Sequence, residues 1–299
     1  MSQIKVPFVN LGAQFEDLQK EIVDAFIRLS KKGAYILGEE VELFEQEFAR
    51  YCGVKHAIAV ANGTDALMLP LKAYGIGAGD EVITCPNSFL ASASCVVLAG
   101  ARPVFVDAGD DYNINPSLIE RAITPRTKAI IPVHLTGMPA DMNPIMEIAK
   151  KHKLKVVEDA AQAVGATYFG KKVGALGDCA GFSLHPLKNL HIHGDGGVIT
   201  TNDDKLASFL KQYRNHGLKN RDLCEFWGYN SRLDSIHAAI GRIKLKHMNE
   251  YTKRFQMIAK TYHESLKDFV QVPLLPKNRE GVFHNFVFMT HQREALQKH

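Results

Sequence analysis

The sequence predicts an α/β protein built on a largely parallel β-sheet that is covered by helices on both faces. Short apolar runs alternate with helical patterns across residues 57–201, and strands that alternate with helices in this way form parallel sheets. Several of these runs end in polar residues, at the strand ends where ligands bind in such sheets. The expected strands are residues 57–60, 81–84, 104–107, 129–134, 156–159, 179–184 and 198–201.

Helical patterns precede, separate and follow these strands. Apolar residues recur at helical spacing over 14–31, and a second amphipathic helix is expected at about 39–52, after a glycine-bounded break. Pro70 lies inside another expected helix, where an interior proline costs about 3 kcal/mol and predicts a kink. The remaining expected helices are residues 63–74, 90–99, 141–152, 203–215 and one or two over 235–266.

Composition indicates an ordinary soluble protein. With 299 residues, 46% of them hydrophobic, the chain can form one large domain and part of another. The net charge of +4 is dispersed along the sequence, which argues against nucleic-acid binding. Five cysteines without a C-x-x-C pair indicate reduced thiols rather than disulfides or a zinc site.

Neither a signal peptide nor a membrane span is expected. The first ten residues lack a charged segment followed by an apolar one. The longest nearly apolar stretch, Phe89–Val106, is interrupted by Arg102 and Pro103, so it fits a helix, a turn and a strand better than a membrane span. A cytoplasmic location is therefore expected.

The stretch Glu158–Gly197 carries the chemistry. Asp159 ends an apolar strand, Lys188 follows 29 residues later in a loop rich in histidine and glycine, and Ser183 lies between them. Pyridoxal phosphate (PLP) requires a lysine that binds it covalently, an acid beside its ring nitrogen, and hydroxyl and amide donors for its phosphate. Taken singly, a lysine is more often a surface residue and an aspartate after a strand a turn former.

The motifs of this stretch resemble those of a known family. EDAAQAVGA, GFSLHPLKNL and GDGG, in that order, are similar to motifs of the DegT/DnrJ/EryC1/StrS family of PLP-dependent nucleotide-sugar aminotransferases, and the similarity runs from about Val6 to about Tyr262. The resemblance implies the PLP-dependent transferase fold, of the aspartate aminotransferase-like fold type I. It implies a large PLP-binding domain over 1–250. Residues 251–299 would begin a small C-terminal α+β domain, incomplete here, with Val282–Met289 as its first strand.

The resemblance also assigns roles around the cofactor. Lys188 would bind PLP and act as the acid–base group, and Asp159 would keep the ring nitrogen protonated. Gln162 would bond the phenolic oxygen, and Phe89 would stack on the ring, although family members usually carry threonine where Ser88 precedes it. A core phenylalanine is the alternative for Phe89.

The phosphate is expected at a strand–turn–helix junction. Free N–H groups at the start of the helix that includes Gly63 and Thr64 suit an anion, although a plain capped helix is the commoner meaning of this pattern. In the family, Ser183 also holds the phosphate. The sequence GYNSR, which includes Asn230, resembles a family motif whose asparagine contacts the PLP phosphate of the neighbouring subunit. This resemblance implies a homodimer with shared active sites.

Three residues are candidates for substrate contact. Tyr35 lies in a G-x-Y-x-x-G segment that is near the sugar in the family, although a tyrosine packed in a connecting loop is equally compatible. His185 and His193 flank Lys188 in the same loop. His134 also lies near the expected site, where a structural role is favoured.

The predicted activity is transfer of an amino group from glutamate to a keto group of a nucleotide-linked hexose, for amino-sugar biosynthesis. The sequence KNL followed by GDGG resembles members that aminate C3 rather than C4. One alternative is a PLP-dependent sugar dehydratase, in which histidine replaces the lysine, and Lys188 argues against it. A non-enzymatic regulator on a degenerate fold is another. A metal site at His191 and His193 lacks a clear third ligand beyond Asp195, so no metal is expected.

Overall fold

The computed structural model describes residues 9–298. The first eight residues, which include Val6 and most of the N-terminus used to exclude a signal peptide, lie outside this range. Within residues 9–298, none of the helices combines the length and the apolar character that crossing a membrane requires.

In the described part of the chain, a seven-stranded sheet has the order β1-β9-β8-β5-β4-β2-β3. Its strands are β1 (His56–Val60), β2 (Glu81–Thr84), β3 (Arg102–Phe105), β4 (Thr127–Ile131), β5 (Lys155–Asp159), β8 (Cys179–Ser183) and β9 (Gly197–Thr201).

The sheet is mixed but mostly parallel, which confirms the predicted fold class. Strands β3, β2, β4, β5 and β8 run in one direction. Strand β9 is antiparallel to both of its neighbours, β8 and β1. Residues 184–196, which join β8 to β9, form no helix that could cross the sheet, so the chain returns beside β8 in the opposite direction.

Two strands are offset from their predicted positions. Strand β4 ends at Ile131 instead of residue 134, because Pro132 follows and has no N–H to donate to the ladder. Strand β3 covers 102–105 instead of 104–107, because it pairs with β2, whose last residue, Thr84, lies opposite Phe105.

The helices follow the predicted order with two divisions, and a short helix at residues 116–119 was not predicted. The segment predicted as 14–31 divides into α1 and α2, and that predicted as 235–266 divides into α9 and α10. The helices are α1 (Leu11–Glu16), α2 (Gln19–Lys32), α3 (Glu39–Cys52), α4 (Gly63–Ala73), α5 (Ala91–Ala99), α6 (Pro116–Ile119), α7 (Met142–His152), α8 (Asp204–Tyr213), α9 (Ser235–Leu245), α10 (Met248–Leu266) and α11 (Arg293–Lys298).

Both faces of the sheet are buried. In β1, Ile58 and Val60 pack in one apolar cluster with α4, α5 and α8, whereas Ala57 and Ala59 pack in another with α2, α3 and α9. Successive side chains of a strand point to opposite faces, so this division places helices on each side of the sheet. This arrangement leaves the strand ends as the place for a site.

Helix α4 continues through Pro70 despite the lost hydrogen bond. Proline cannot donate to the carbonyl of Ala66, one turn earlier. That carbonyl lies against Gly181 of β8, so closely that a Cβ at this glycine would be 2.8 Å from the oxygen. Pro70 is thus accommodated where the helix packs directly on the sheet.

The strand predicted at Val282–Met289 is not formed. Instead, β10 (Arg279–Glu280) joins a small antiparallel sheet with β6 (Thr167–Tyr168) and β7 (Lys171–Lys172). A strand requires a partner, and the backbone of 282–285 bonds to the turn at 136–137. At its end, Met289 makes only an isolated bridge with Gln271.

Candidate active site

A cavity of about 290 Å³ opens at the carboxyl ends of the parallel strands. Segments that follow β1, β2, β5 and β8 meet there because β1 runs in the same direction as these strands. The residues predicted from the sequence that line this cavity are Gly63, Thr64, Phe89, Asp159, Gln162, Ser183, His185 and Lys188.

Asp159 is the buried acid of the cavity. It ends β5, and its carboxylate accepts hydrogen bonds from the Ser92 hydroxyl at 2.6 Å and from the Ala161 N–H at 3.2 Å. Burial raises the pKa of Asp159 above its usual range, against the opposing effect of these two bonds and of the Lys188 charge. Because burial disfavours the ionised form of this carboxyl group, a positively charged ligand group beside it would stabilise that form.

Lys188 is held by its own loop. Its N–H donates to the His185 carbonyl at 2.8 Å, and the His185 N–H donates to the Ser183 hydroxyl at 3.3 Å. Burial lowers the pKa of Lys188, and the nearby Asp159 carboxylate opposes this change. The amine therefore loses its proton more readily than an exposed lysine, as a covalent and acid–base role requires.

The start of α4 forms an anion cradle. The Asn62 side chain caps the helix by accepting the Asp65 N–H at 2.8 Å. Gly63 packs so closely on Ser183 that a Cβ at residue 63 would lie 2.7 Å from the serine Cβ. The helix N-terminus, with its free N–H groups, and the serine hydroxyl are thus brought together, which suits a phosphate.

Gln162 and Phe89 complete the cavity. The Gln162 Oε1 accepts the Thr136 N–H at 2.7 Å, so the amide nitrogen is the group left for a ligand oxygen. Phe89 lies at the cavity mouth with 71% of its surface exposed, available to a planar ligand.

The family model of the DegT/DnrJ/EryC1/StrS aminotransferase family matches residues 16–299. The chain belongs to this family. The predictions of the family, the fold and the enzyme class are therefore confirmed.

Characterised relatives span most of the chain. A dTDP-3-amino-3,6-dideoxy-alpha-D-galactopyranose transaminase from Aneurinibacillus thermoaerophilus is 49% identical over 98% of this chain and 81% of its own. A pleiotropic regulatory protein from Geobacillus stearothermophilus is 44% identical over 98% of this chain and 80% of its own. The crystal structure of S. venezuelae DesV in complex with a ketimine intermediate has a TM-score of 0.96 and 43% identity, covering 98% of this chain and 80% of DesV.

Three predicted residues of this aminotransferase lie outside the cavity lining. Tyr35 is 59% exposed, and its carbonyl accepts the Ser235 N–H. His193 is exposed, with its ring 6.0 Å from that of Phe15. Asn230 is exposed on the surface. The single chain does not bring these three side chains to Lys188.

The acidic pair at the end of β5 has two different environments. Glu158 is fully buried away from the cavity and accepts N–H groups from Gly174, Leu176 and Gly177. It also bonds the His134 ring at 3.0 Å. His134 therefore has the structural position that was favoured for it, and it does not line the cavity.

His191, one of the two histidines considered for a metal site, has other partners. The His191 ring lies 2.6 Å from the Gln14 oxygen and 3.0 Å from the Lys244 amine. Across residues 9–298, no group of three histidine, cysteine or acidic residues is arranged to hold a metal ion.

Two contributors to the site were missed by sequence reasoning. Ser92 connects Ser88, at 2.7 Å, to the Asp159 carboxylate, and the four-residue spacing of the two serines was a usable signal. His284 lines the cavity from the C-terminal segment, and nothing in its local sequence indicated this position. Asn62 and Asp195 also line the cavity.

Proposed function

We propose that this aminotransferase uses PLP to move an amino group from glutamate to the C3 keto group of a nucleotide-linked hexose. The observation that carries the proposal is the presence of Lys188 and the buried carboxylate of Asp159 in one cavity, beside the α4 anion cradle. A lysine, an acid and a phosphate cradle are the three features that PLP requires.

The residues fit this cofactor. PLP supplies an aldehyde that captures amines and a ring that withdraws electrons from the reacting carbon. A protonated ring nitrogen would offset the cost of burying the charged Asp159 carboxylate. The Gln162 amide nitrogen would donate to the phenolic oxygen, and Gly63, Thr64 and Ser183 would hold the phosphate.

Lys188 would then carry the proton. Its lowered pKa increases the fraction of neutral amine at physiological pH, so Nζ can accept a proton from a substrate carbon and return it to another position. The hydrogen-bonded loop backbone positions Lys188 at the cavity for both steps.

The choice of substrate rests on the relatives. The Aneurinibacillus relative is a transaminase whose sugar carries its amino group at C3, which agrees with the preference that KNL and GDGG indicate. Glutamate is the general amino donor expected for the family.

A regulatory role is the second candidate, because the Geobacillus relative is called a regulatory protein. Lys188 and Asp159 favour the enzyme, since a pure regulator needs neither. Lysine at position 188 also disfavours the dehydratase alternative.

A panel of nucleotide-linked keto-sugars tests the activity. The purified protein with PLP and glutamate should convert a 3-keto sugar to the amine, a mass change that mass spectrometry detects. The position of nitrogen in the product, assigned by NMR, should be C3. Conversion of 4-keto sugars alone would overturn the C3 preference, and no conversion of any keto-sugar would favour the regulatory role.

We also propose a homodimer with shared active sites. The outward side of α5 and the residues before it are apolar and exposed, with Phe89 71%, Leu90 73%, Val97 60% and Leu98 56% exposed. Exposed apolar surface of this kind marks a protein interface. It adjoins the cavity mouth, so a second copy docked there would lie close to the cofactor.

Mixing two inactive variants tests the shared site. Lys188→Ala protein combined with Asn230→Ala protein under exchanging conditions should regain part of the activity, because one site of each heterodimer has both intact residues. Verified heterodimers without activity, when Asn230→Ala alone is inactive, would contradict a contribution from the partner subunit's Asn230.

A further inference from the structure

His284 lies in the same cavity as Lys188, yet it comes from the C-terminal segment instead of the sheet. The positive charge of Lys188, which lines the same cavity, contributes to lowering the pKa of the His284 imidazole. The role of His284 therefore concerns the reacting groups, not the outer surface.

The backbone around His284 is fastened to the cavity wall. The Val282 N–H donates to the Gly137 carbonyl at 3.0 Å, and the Asn285 N–H lies 3.4 Å from the Thr136 carbonyl. Val282 is fully buried. The Thr136 N–H in turn donates to the Gln162 side chain. Through Thr136, these contacts fix the backbone beside His284 relative to Gln162, a cavity residue that is distant in sequence.

Gly137 makes this close approach possible. Its φ is +89°, and a Cβ there would lie 2.8 Å from Val282 Cγ2 and 3.1 Å from the backbone nitrogen of His284. The residue before His284, Phe283, has φ +51°, which is uncommon for a bulky side chain. Unfavourable backbone of this kind persists where the surrounding structure imposes it, and it often accompanies functional sites.

The His284 imidazole is uncharged and available. Burial and, to a smaller degree, the charge of Lys188 lower its pKa to about 4, so the ring is neutral at physiological pH. Within residues 9–298, no hydrogen bond engages either ring nitrogen. A neutral imidazole offers one donor and one acceptor.

We propose that His284 is a substrate-contact residue that hydrogen-bonds an uncharged oxygen of the keto-sugar, such as a hydroxyl. This inference rests on the function proposed above and adds a specificity residue to it. The carboxylates of glutamate call for cationic partners, whereas sugar hydroxyls match a neutral donor and acceptor. His284 therefore serves the sugar half-reaction and not the glutamate half-reaction.

The two half-reactions separate these roles. In His284→Phe holoenzyme, single-turnover conversion by glutamate, followed through cofactor absorbance, should keep the wild-type rate. The kcat/KM for the keto-sugar should fall about tenfold, the loss expected for one hydrogen bond. His284→Asn, which retains a donor and an acceptor, should recover part of this loss. His291→Phe, an exposed histidine of the same segment, should match wild type.

Binding gives a readout that does not depend on turnover. By calorimetry, a dTDP-linked 3-amino-hexose should bind the His284→Phe holoenzyme about tenfold more weakly than wild type. dTDP alone should bind both proteins equally. Melting curves of the variants check that the fold is intact. If His284→Phe does not fold, the same measurements are made on His284→Asn.

Two results would overturn the inference. Equal losses in both half-reactions would assign His284 to the shape of the cavity, and unchanged sugar kinetics would remove it from the substrate. Failure of the wild-type enzyme with every keto-sugar is a different outcome, because it rejects the proposed function itself.

Discussion

Asp159→Asn is the most informative single substitution, because it removes a charge and keeps the shape. The wild-type carboxylate accepts from Ser92 at 2.6 Å and from Ala161 at 3.2 Å. An asparagine oxygen can still accept the Ala161 N–H. Its amide can donate to the Ser92 hydroxyl, which would then donate to Ser88, 2.7 Å away. The hydrogen bonds that join residues 159, 92 and 88 therefore reverse direction while the side chains keep their positions.

The rate should nevertheless fall by about three to four orders of magnitude. A neutral amide no longer favours a protonated ring nitrogen, so the cofactor withdraws electrons less effectively from the reacting carbon. The nearest measured analogy is the amidation of the orienting carboxylate in a catalytic triad, which costs about 10⁴-fold.

Whereas the rate falls, the stability of the cofactor-free protein should rise in the Asp159→Asn variant. Burial raises the pKa of Asp159 in the folded state, so the folded protein binds more protons than the unfolded one in the range just above the usual aspartate pKa. Stability therefore decreases as pH rises from the usual aspartate pKa through the raised pKa of the folded state. Asp159→Asn removes this pH-dependent loss.

The assay combines turnover with melting curves of the cofactor-free proteins at pH 7. We expect Asp159→Asn to be nearly inactive and at least as stable as wild type. Near-normal turnover would refute the ring-nitrogen role. A large loss of stability without the cofactor would refute the burial argument.

Three further substitutions test the surroundings of the site. Gly63→Ala forces a Cβ to within 2.7 Å of the Ser183 Cβ, so PLP affinity, measured by titration, should weaken by about 1–3 kcal/mol. Ser92→Ala removes a hydrogen bond to the charged Asp159, worth about 1.5–3 kcal/mol, so kcat should fall by one to two orders of magnitude. Glu158→Gln replaces one carboxylate oxygen by an NH2 group, which leaves at least the buried Gly174 N–H without an acceptor and should cost about 3 kcal/mol of unfolding free energy in urea titrations.

Matched substitutions elsewhere in the chain supply the controls for two of these variants. Gly12→Ala lies in an open position of α1 and should leave PLP affinity unchanged. Ser94→Ala lies on the same helix as Ser92 and should leave kcat unchanged. If Ser94→Ala behaved like Ser92→Ala, the effect would come from α5 as a whole. If Gly12→Ala behaved like Gly63→Ala, the effect would come from any glycine-to-alanine change in a helix and not from the contact with Ser183.

The central part of the site could be predicted from the sequence for a physical reason. Asp159 and Ser183 end neighbouring strands, and Lys188 follows the second of them within a short loop. Parallel strands bring their carboxyl ends to one edge, so linear order is enough to place these residues together. The family motifs then distinguished Asp159 from Glu158, which points to the opposite face of the strand.

Contacts that depend on distant segments could not be predicted in this way. His284 reaches the cavity only because residues 282–285 bond to the turn at 136–137. The same backbone bonds replace the strand expected at Val282–Met289, whose β-forming residues find no adjacent strand within 9–298. The local sequence pattern indicates which secondary structure a segment prefers. The tertiary fold determines which other segment it contacts.

Peptide mapping after borohydride reduction tests the central claim most directly. Borohydride converts the linkage between a lysine and PLP into a stable bond, so the labelled peptide identifies the lysine. We predict that the purified protein absorbs as a PLP enzyme and that the label lies on Lys188, with none in Lys188→Ala protein. A label on any other lysine, or no label at saturating PLP, would contradict the account.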